Sequence, residues 1–168
     1  MHKHAKFLAH GALIAAMYAA LTHLQNLLIP GSATWAIQFR ASEALCVLAF
    51  FTPAAIPGLG VGCFLFNLTY SGALPLDTVV GTAATLLAAG AMHLTRNLRI
   101  RRYPLPGLAM PAIFNAFLVG WELTVYIGGG FWLNALYVAL GELGVLFTLG
   151  WLLDACLMRN GLARRLFR

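Results

Sequence analysis

Charge is what this sequence has least of. Only 10% of its 168 residues are Asp, Glu, Lys or Arg, where a soluble domain carries about 25%. With 61% hydrophobic residues and a mean hydropathy of +0.81, the chain cannot cover itself with polar surface. A soluble globular domain is excluded, and an integral membrane protein is indicated. The apolar runs are continuous and do not alternate, which excludes a β-barrel. Cys46, Cys63 and Cys156 all fall in apolar segments without CxxC spacing, so neither a zinc site nor a disulfide framework is indicated. His10, His23 and His93 are dispersed and have no metal spacing. No HExxH, GxSxG or supported Ser/Lys arrangement is present, so no residue is assigned a catalytic role and no enzyme is expected. There is no P-loop either. The chain cannot spend ATP by itself, and a transport role requires an energised partner or an ion gradient.

What is present is a series of apolar runs. At about 20 residues per spanning helix plus short loops, the chain has room for roughly six spans in one domain, residues 1–168. Helices are predicted over 5–29, 34–51, 54–70, 76–97, 107–127 and 131–158. They are separated by Pro30-Gly31-Ser32, Thr52-Pro53, Ser71-Gly72, a basic loop, and Gly128-Gly129-Gly130. The basic start and apolar first run resemble a signal peptide, but the run extends to Ile29 with no clear small-residue cleavage site, so it is read as a retained first helix.

The cations sit in three patches: Lys3 and Lys6; Arg96, Arg99, Arg101 and Arg102; and Arg159, Arg164, Arg165 and Arg168. Six crossings with the N-terminus inside place all ten on the cytoplasmic side. The outer connections, 30–33, 71–75 and 128–130, contain no Lys or Arg. The positive-inside rule therefore accounts for the net charge of +6 without nucleic acid, and binding of anionic lipid headgroups is the alternative use of these patches.

Arg40 is the one cation outside those patches. It lies with Glu43 in an apolar stretch, where charge is costly and usually functional. Spaced three apart, the two can neutralise each other across a helical turn. On the six-span topology Arg40, Glu43, Asn67, Asp77, Glu122, Trp132 and Asn134 all fall in the outer half. Glu142 lies about 12–15 Å further in, at 1.5 Å per residue. Asn115 and Glu122 are seven apart on one face of their helix. Polar groups from five helices thus gather in one leaflet, the layout of a pocket open to the outside. Glu43, Glu122 and Glu142 share a single arginine at membrane depth, which points to a ligand with hydrogen-bond donors or positive charge. Small residues form stripes on the first helix, Ala12/Ala16/Ala20 and Ala15/Ala19, of the kind that lets helix backbones approach closely. They serve either packing within the bundle or docking of another protein.

The stretches FRASEALCVLAFFTPAAIPGLGVGC, GTAATLLAA and FWLNALYVALGE resemble the QueT family of queuosine-precursor transporters, which are substrate-binding (S) components of energy-coupling factor transporters. The resemblance implies an all-α bundle of six transmembrane helices with both termini cytoplasmic, in a prokaryotic plasma membrane. It implies capture of a 7-deazaguanine from outside, and association with a transmembrane scaffold subunit and two ATPases that use ATP. In such components an Ala-xxx-Ala pattern on the first helix meets the scaffold, so here Ala12, Ala15, Ala16, Ala19 and Ala20 are its candidates. A carboxylate can accept the adjacent N–H donors of the guanine-like edge, a second carboxylate would suit an aminomethyl arm, and Trp132 or Tyr137 could stack on the ring. Arg40 would face the base carbonyl or hold Glu43, with Glu43 the more direct contact. An S component for another vitamin, or a membrane bundle or enzyme without a transport role, are the alternatives.

The topology is open to cysteine labelling in intact cells. Ser71→Cys is expected to react from outside, whereas Arg99→Cys stays protected until the membrane is opened. Labelling of position 99 from outside would overturn the orientation.

Overall fold

A computed structural model describes residues 2–32, 39–70, 76–101, 103–159 and 161–167. Among these, the secondary structure is helical apart from one isolated bridge, Ile100 to Tyr103, in the basic loop. The elements are α1 (His2–Leu28), a 3₁₀ helix (Ala41–Phe50), α2 (Ala55–Thr69), α3 (Asp77–Leu94), α4 (Leu105–Leu108), α5 (Met110–Tyr126), α6 (Phe131–Val145), a π-helical turn (Leu146–Gly150), α7 (Trp151–Arg159) and α8 (Leu162–Phe167). Among the described residues, three stretches, Lys3–Leu28, Leu105–Tyr126 and Phe131–Arg159, are long and apolar enough to cross a membrane.

The outside of the bundle is what identifies its solvent. Leu8, Leu13, Leu27, Val79, Phe117 and Leu152 are among many large apolar side chains left exposed, while Glu43, Asp77, Glu122, Glu142 and Asp154 are all buried. All five acidic residues of the chain are therefore inside. A water-facing surface has the opposite preference. This inside-out partition is that of a multi-pass membrane protein.

The second predicted helix, 34–51, is corrected by the structure. Residues 33–38, and residues 71–75, where the sequence predicts a turn, lie outside the described residues. Arg40 is extended (φ −96°, ψ 99°), and the next ten residues wind into a 3₁₀ helix. That winding rises about 2.0 Å per residue, so it covers ~20 Å where an α-helix of the same length covers ~15 Å. It is also narrower, and nine of its ten residues, Ser42 to Phe50, are buried between α1, α2, α3, α6, α7 and the π turn. A slim element with small residues at Ala41, Ser42, Ala44 and Ala49 fits through the middle of a bundle. The other predicted helices are found with ends shifted by a few residues. The predicted helix at 107–127 is divided at Ala109 into α4 and α5, and that at 131–158 contains the wider π turn.

Around this centre, α1 packs on α2, α2 on α3, α3 on α5 and α5 on α6. The α1–α2 crossing is a backbone contact. A Cβ at Gly58 would lie 2.7 Å from the Gly11 carbonyl oxygen, and one at Gly62 would lie 2.7 Å from Tyr18 Cβ and 2.8 Å from the Ala15 carbonyl oxygen. Ala15 is buried in this contact, which separates the two alanine stripes: Ala15 belongs to packing within the bundle, whereas Ala12, Ala16 and Ala20 are exposed.

Contacts at the two ends show which element ends meet. At one, His93 Nδ1 lies 2.7 Å from the Ala49 carbonyl oxygen, Arg99 bridges Asp154 at 3.2 Å, and the rings of His10 and Phe167 meet edge to face. At the other, His23 Nε2 lies 2.9 Å from Thr69 Oγ1, and Asn67 reaches the start of α3.

The crossing makes a stability prediction. Gly62→Val forces α1 off α2 and is expected to cost at least the ~1–3 kcal/mol typical of overpacking. Gly90→Ala, at an α3 position with nothing within 4 Å of the added carbon, should be neutral or gain up to ~1 kcal/mol from helix propensity. Melting in detergent distinguishes the two; equal melting temperatures would mean that the crossing is not close-packed.

Candidate functional site

The chain enters the 3₁₀ helix through Arg40, and the extended backbone there turns its side chain across to α3. Arg40 Nη2 forms an ion pair with Asp77 Oδ2 at 3.2 Å, with each side chain 4% exposed. Its guanidinium carbon lies 5.8 Å from the centre of the Phe66 ring, a cation–π distance. Asn67 completes the corner: its Nδ2 donates to the Asp77 carbonyl oxygen at 2.8 Å, tying the end of α2 to the start of α3. Gly81 leaves room beside them, since a Cβ there would come within 2.8 Å of Asp77 Oδ1 and 3.0 Å of Asn67 Nδ2. The expected Arg40–Glu43 neutralisation is thus corrected: the arginine's ion pair is with Asp77. An α-helical turn would have joined Arg40 to Glu43, but the backbone at Arg40 is extended instead.

Glu43 is held from two other sides. The Tyr18 hydroxyl donates to Oε1, and Cys46 Sγ lies 3.1 Å from Oε2. Residues three apart eclipse in a 3₁₀ helix, which is why Cys46 reaches its carboxylate. One turn along α1, the Thr22 hydroxyl donates to the Tyr18 carbonyl oxygen at 2.7 Å and lies 2.6 Å from Ser42 Oγ.

On the facing helices, Asn115 Nδ2 donates to Glu142 Oε1 at 2.7 Å. Glu122 lies within electrostatic range of Asp77 and Arg40, and Glu142 within range of Glu43 and Arg40. Arg40 is therefore the common cation of four carboxyl groups. Several buried oxygens have no hydrogen-bond partner among the described residues: both of Glu122, Oε2 of Glu142, Oδ1 of Asp77 and Oδ1 of Asn67. Burying polar groups unpaired costs kilocalories each, so this corner of the bundle holds more acceptors than the described donors satisfy. Among the described residues no group of three or more His, Cys, Asp or Glu is arranged to hold a metal ion.

Of the residues expected to line a pocket, Arg40, Glu43, Asn67, Asp77, Asn115, Glu122 and Glu142 are buried and joined by these contacts and fields. Three stand apart. Asn134 is buried but fastens the α5–α6 turn, donating at 3.0 Å to Thr124 Oγ1 and to the Gly128 carbonyl oxygen. Trp132 stands on the outside, 74% exposed, against Phe117 and Phe131. Its expected stacking role is corrected accordingly, because the first turn of α6 points this ring outward. Tyr137 is half-buried. Sequence reasoning missed Tyr18, Thr22 and Asn26, all buried on α1; both side-chain polar atoms of Asn26 lack a hydrogen-bond partner among the described residues. Their four-residue spacing was a usable signal: it draws one polar line down an apolar helix.

The family model of the QueT transporter matches residues 8–159. No curated protein matches the chain, and no solved structure matches it. The match covers most of the sequence, and the chain belongs to the QueT transporter family, a family of transporters and not of enzymes.

The geometry separates two kinds of carboxylate by stability. Arg40→Met leaves Asp77 buried without its cation and is expected to cost about 3–5 kcal/mol. Glu122→Gln keeps the shape and replaces a buried carboxyl group that no hydrogen bond among the described residues offsets, so the melting temperature should hold or rise. A large loss in Glu122→Gln would mean that Glu122 is a structural partner after all.

Proposed function

Taking membership of the QueT transporter family as the premise, we propose that this chain is the substrate-binding subunit of an energy-coupling factor transporter for a 7-deazaguanine precursor of queuosine. On this reading it spans a prokaryotic plasma membrane six times, with both termini cytoplasmic. The charge asymmetry of the loops supports that orientation. The 3₁₀ helix and α2 are short for an unaided span, at ~20 Å and ~22 Å against a hydrocarbon core of ~30 Å; the 3₁₀ helix is shielded by its neighbours, whereas α2 leaves Val61, Phe64, Leu65 and Leu68 exposed.

The observation that carries the reading is the orphaned carboxylate of Glu122, in the field of Asp77 and Arg40. A guanine-like edge presents two adjacent N–H donors, and one carboxylate accepts both. Glu122 is the better candidate for that contact than Glu43, whose oxygens are engaged by Tyr18 and Cys46. The free Oδ1 of Asp77 or Oε2 of Glu142 would take a cationic aminomethyl arm, and Asn115 or Arg40 would donate to the base carbonyl. Of the two aromatics expected to stack on the ring, Tyr137 is the one that is not on the outside, and Phe66, beside Arg40, is a ring already within the cluster. Uptake then needs ATP spent by two partner ATPases and coupled through a transmembrane scaffold subunit. The exposed Ala12/Ala16/Ala20 face is the surface we assign to that scaffold, since small side chains let a foreign helix approach.

Calorimetry of the purified protein against deazaguanines, guanine and vitamins tests the ligand. Glu122→Gln should weaken deazaguanine binding by about 10- to 150-fold, the loss of one charge-assisted hydrogen bond of ~1.5–3 kcal/mol. Binding of a vitamin but of no deazaguanine would sink the substrate assignment. The docking face has its own test: Ala16→Trp should abolish assembly with the scaffold and ATPases while leaving ligand affinity intact. Ala15→Trp should instead destabilise the subunit itself, because Ala15 is buried against α2. Assembly that survives Ala16→Trp would remove the stripe from the interface.

A further inference from the structure

The end of the bundle opposite the carboxylate cluster carries two adjoining cavities that the transport reading leaves unused. The first is a groove of about 310 Å³ whose walls come from four elements: Leu13 and Met17 on α1, Leu48 on the 3₁₀ helix, Leu157 on α7 and Leu166 on α8. Those walls are apolar. The second cavity, about 280 Å³, is lined by Lys3, Lys6 and Thr52. His10 and Phe167 line both, with their ring centres 5.5 Å apart. The two therefore adjoin across the His10–Phe167 pair, the one apolar along the bundle and the other cationic beside it.

Charge decides what fits it. Lys3 and Lys6 are exposed, and all five acidic residues of the chain are buried elsewhere: four in the cluster around Arg40 and the fifth, Asp154, against Arg99. No Asp or Glu among the described residues is exposed to neutralise the two lysines. A ligand for this site must bring an anion to the mouth and a flexible apolar chain to the groove.

We infer that this site binds an anionic phospholipid from the leaflet at the basic end. Its phosphate sits on Lys3 and Lys6 beside His10, and one acyl chain lies in the groove between α1, the 3₁₀ helix, α7 and α8. Leu166 and Phe167 belong to α8, so the acyl chain fastens that short terminal helix to α1. The inference is independent of the substrate and of any partner subunit.

Native mass spectrometry and melting of the full-length, delipidated protein test it, with phosphatidylglycerol, phosphatidylcholine of the same acyl chains, and inorganic phosphate as probes. Phosphatidylglycerol should be retained and raise the melting temperature, and the other two should not. At the worth of one surface cation per lysine, Lys3→Ala combined with Lys6→Ala should reduce the preference for phosphatidylglycerol by about 30-fold. Both lysines are exposed, so this variant should fold. Leu13→Trp combined with Met17→Trp, two outward-facing groove positions, should reduce retention of both lipids. Equal retention of the two lipids, or a preference that survives loss of both lysines, overturns the proposal. A melting shift with inorganic phosphate equal to that with phosphatidylglycerol does the same, because it marks a free-anion site.

Discussion

The ion pair between Arg40 and Asp77 is the interaction on which the interior of this protein depends. It joins the extended entry to the 3₁₀ helix with the first turn of α3, across a sequence distance of 37 residues. Asn67 locks the end of α2 onto the same point through the Asp77 carbonyl. Three elements therefore meet at one buried charge pair. In a membrane protein such a pair does what apolar packing cannot do, because lipid is as apolar as the core and gives no preference for one helix arrangement over another. A buried cation with one position of lowest energy does give that preference.

The pair also organises the chemistry. Once Asp77 has taken one face of the guanidinium, Glu43, Glu122 and Glu142 must find other partners. Glu43 does so within the chain, from Tyr18 and Cys46, and Glu142 does so in part, from Asn115. Glu122 does not. The acceptors therefore grade from fully engaged to fully open across the bundle, and the open end is where an incoming donor gains most. Gly81 contributes by omission, since any side chain there would fall on Asp77 and Asn67.

Much of this could be read from the sequence, and the parts that could not have physical reasons. Membrane class and the basic patches are legible in hydropathy and charge, which act over whole segments. The burial of Arg40, Glu43, Asp77, Glu122 and Glu142 was legible as well, because a charged residue in an apolar run has nowhere to go but inside. Pairing was not. The α-helical spacing of Arg40 and Glu43 pointed to each other, but the backbone is extended at Arg40 and 3₁₀ from Ala41, and an apolar run does not announce which helix it will form. Tertiary packing chose the slimmer one. Trp132 failed for a related reason: its sequence position gives a depth, but depth does not fix the side of the helix. The alanine stripes were ambiguous in the same way until the glycines of α2 showed which of them α2 covers.

That resolution gives α1 a double role on the proposed reading. Successive residues advance by about 100° around an α-helix, so Ala16 and Tyr18 lie roughly 200° apart, on opposite faces. The inward face carries Tyr18, Thr22 and Asn26, the first of them bonded to Glu43; the outward face carries Ala12, Ala16 and Ala20. A ligand that draws on Glu43 would act on the Tyr18 hydrogen bond, and any shift of Tyr18 would move a helix whose other side is the face proposed to meet the partner. The Gly58 and Gly62 contacts limit what that movement can be. With backbone against backbone at Gly11 and Ala15, α1 cannot approach α2 further, and sliding or tilting along α2 is the freedom that remains. On the proposed reading, substrate occupancy and the partner-facing surface would in this way be joined by one element, α1, with no relay of side chains needed between them.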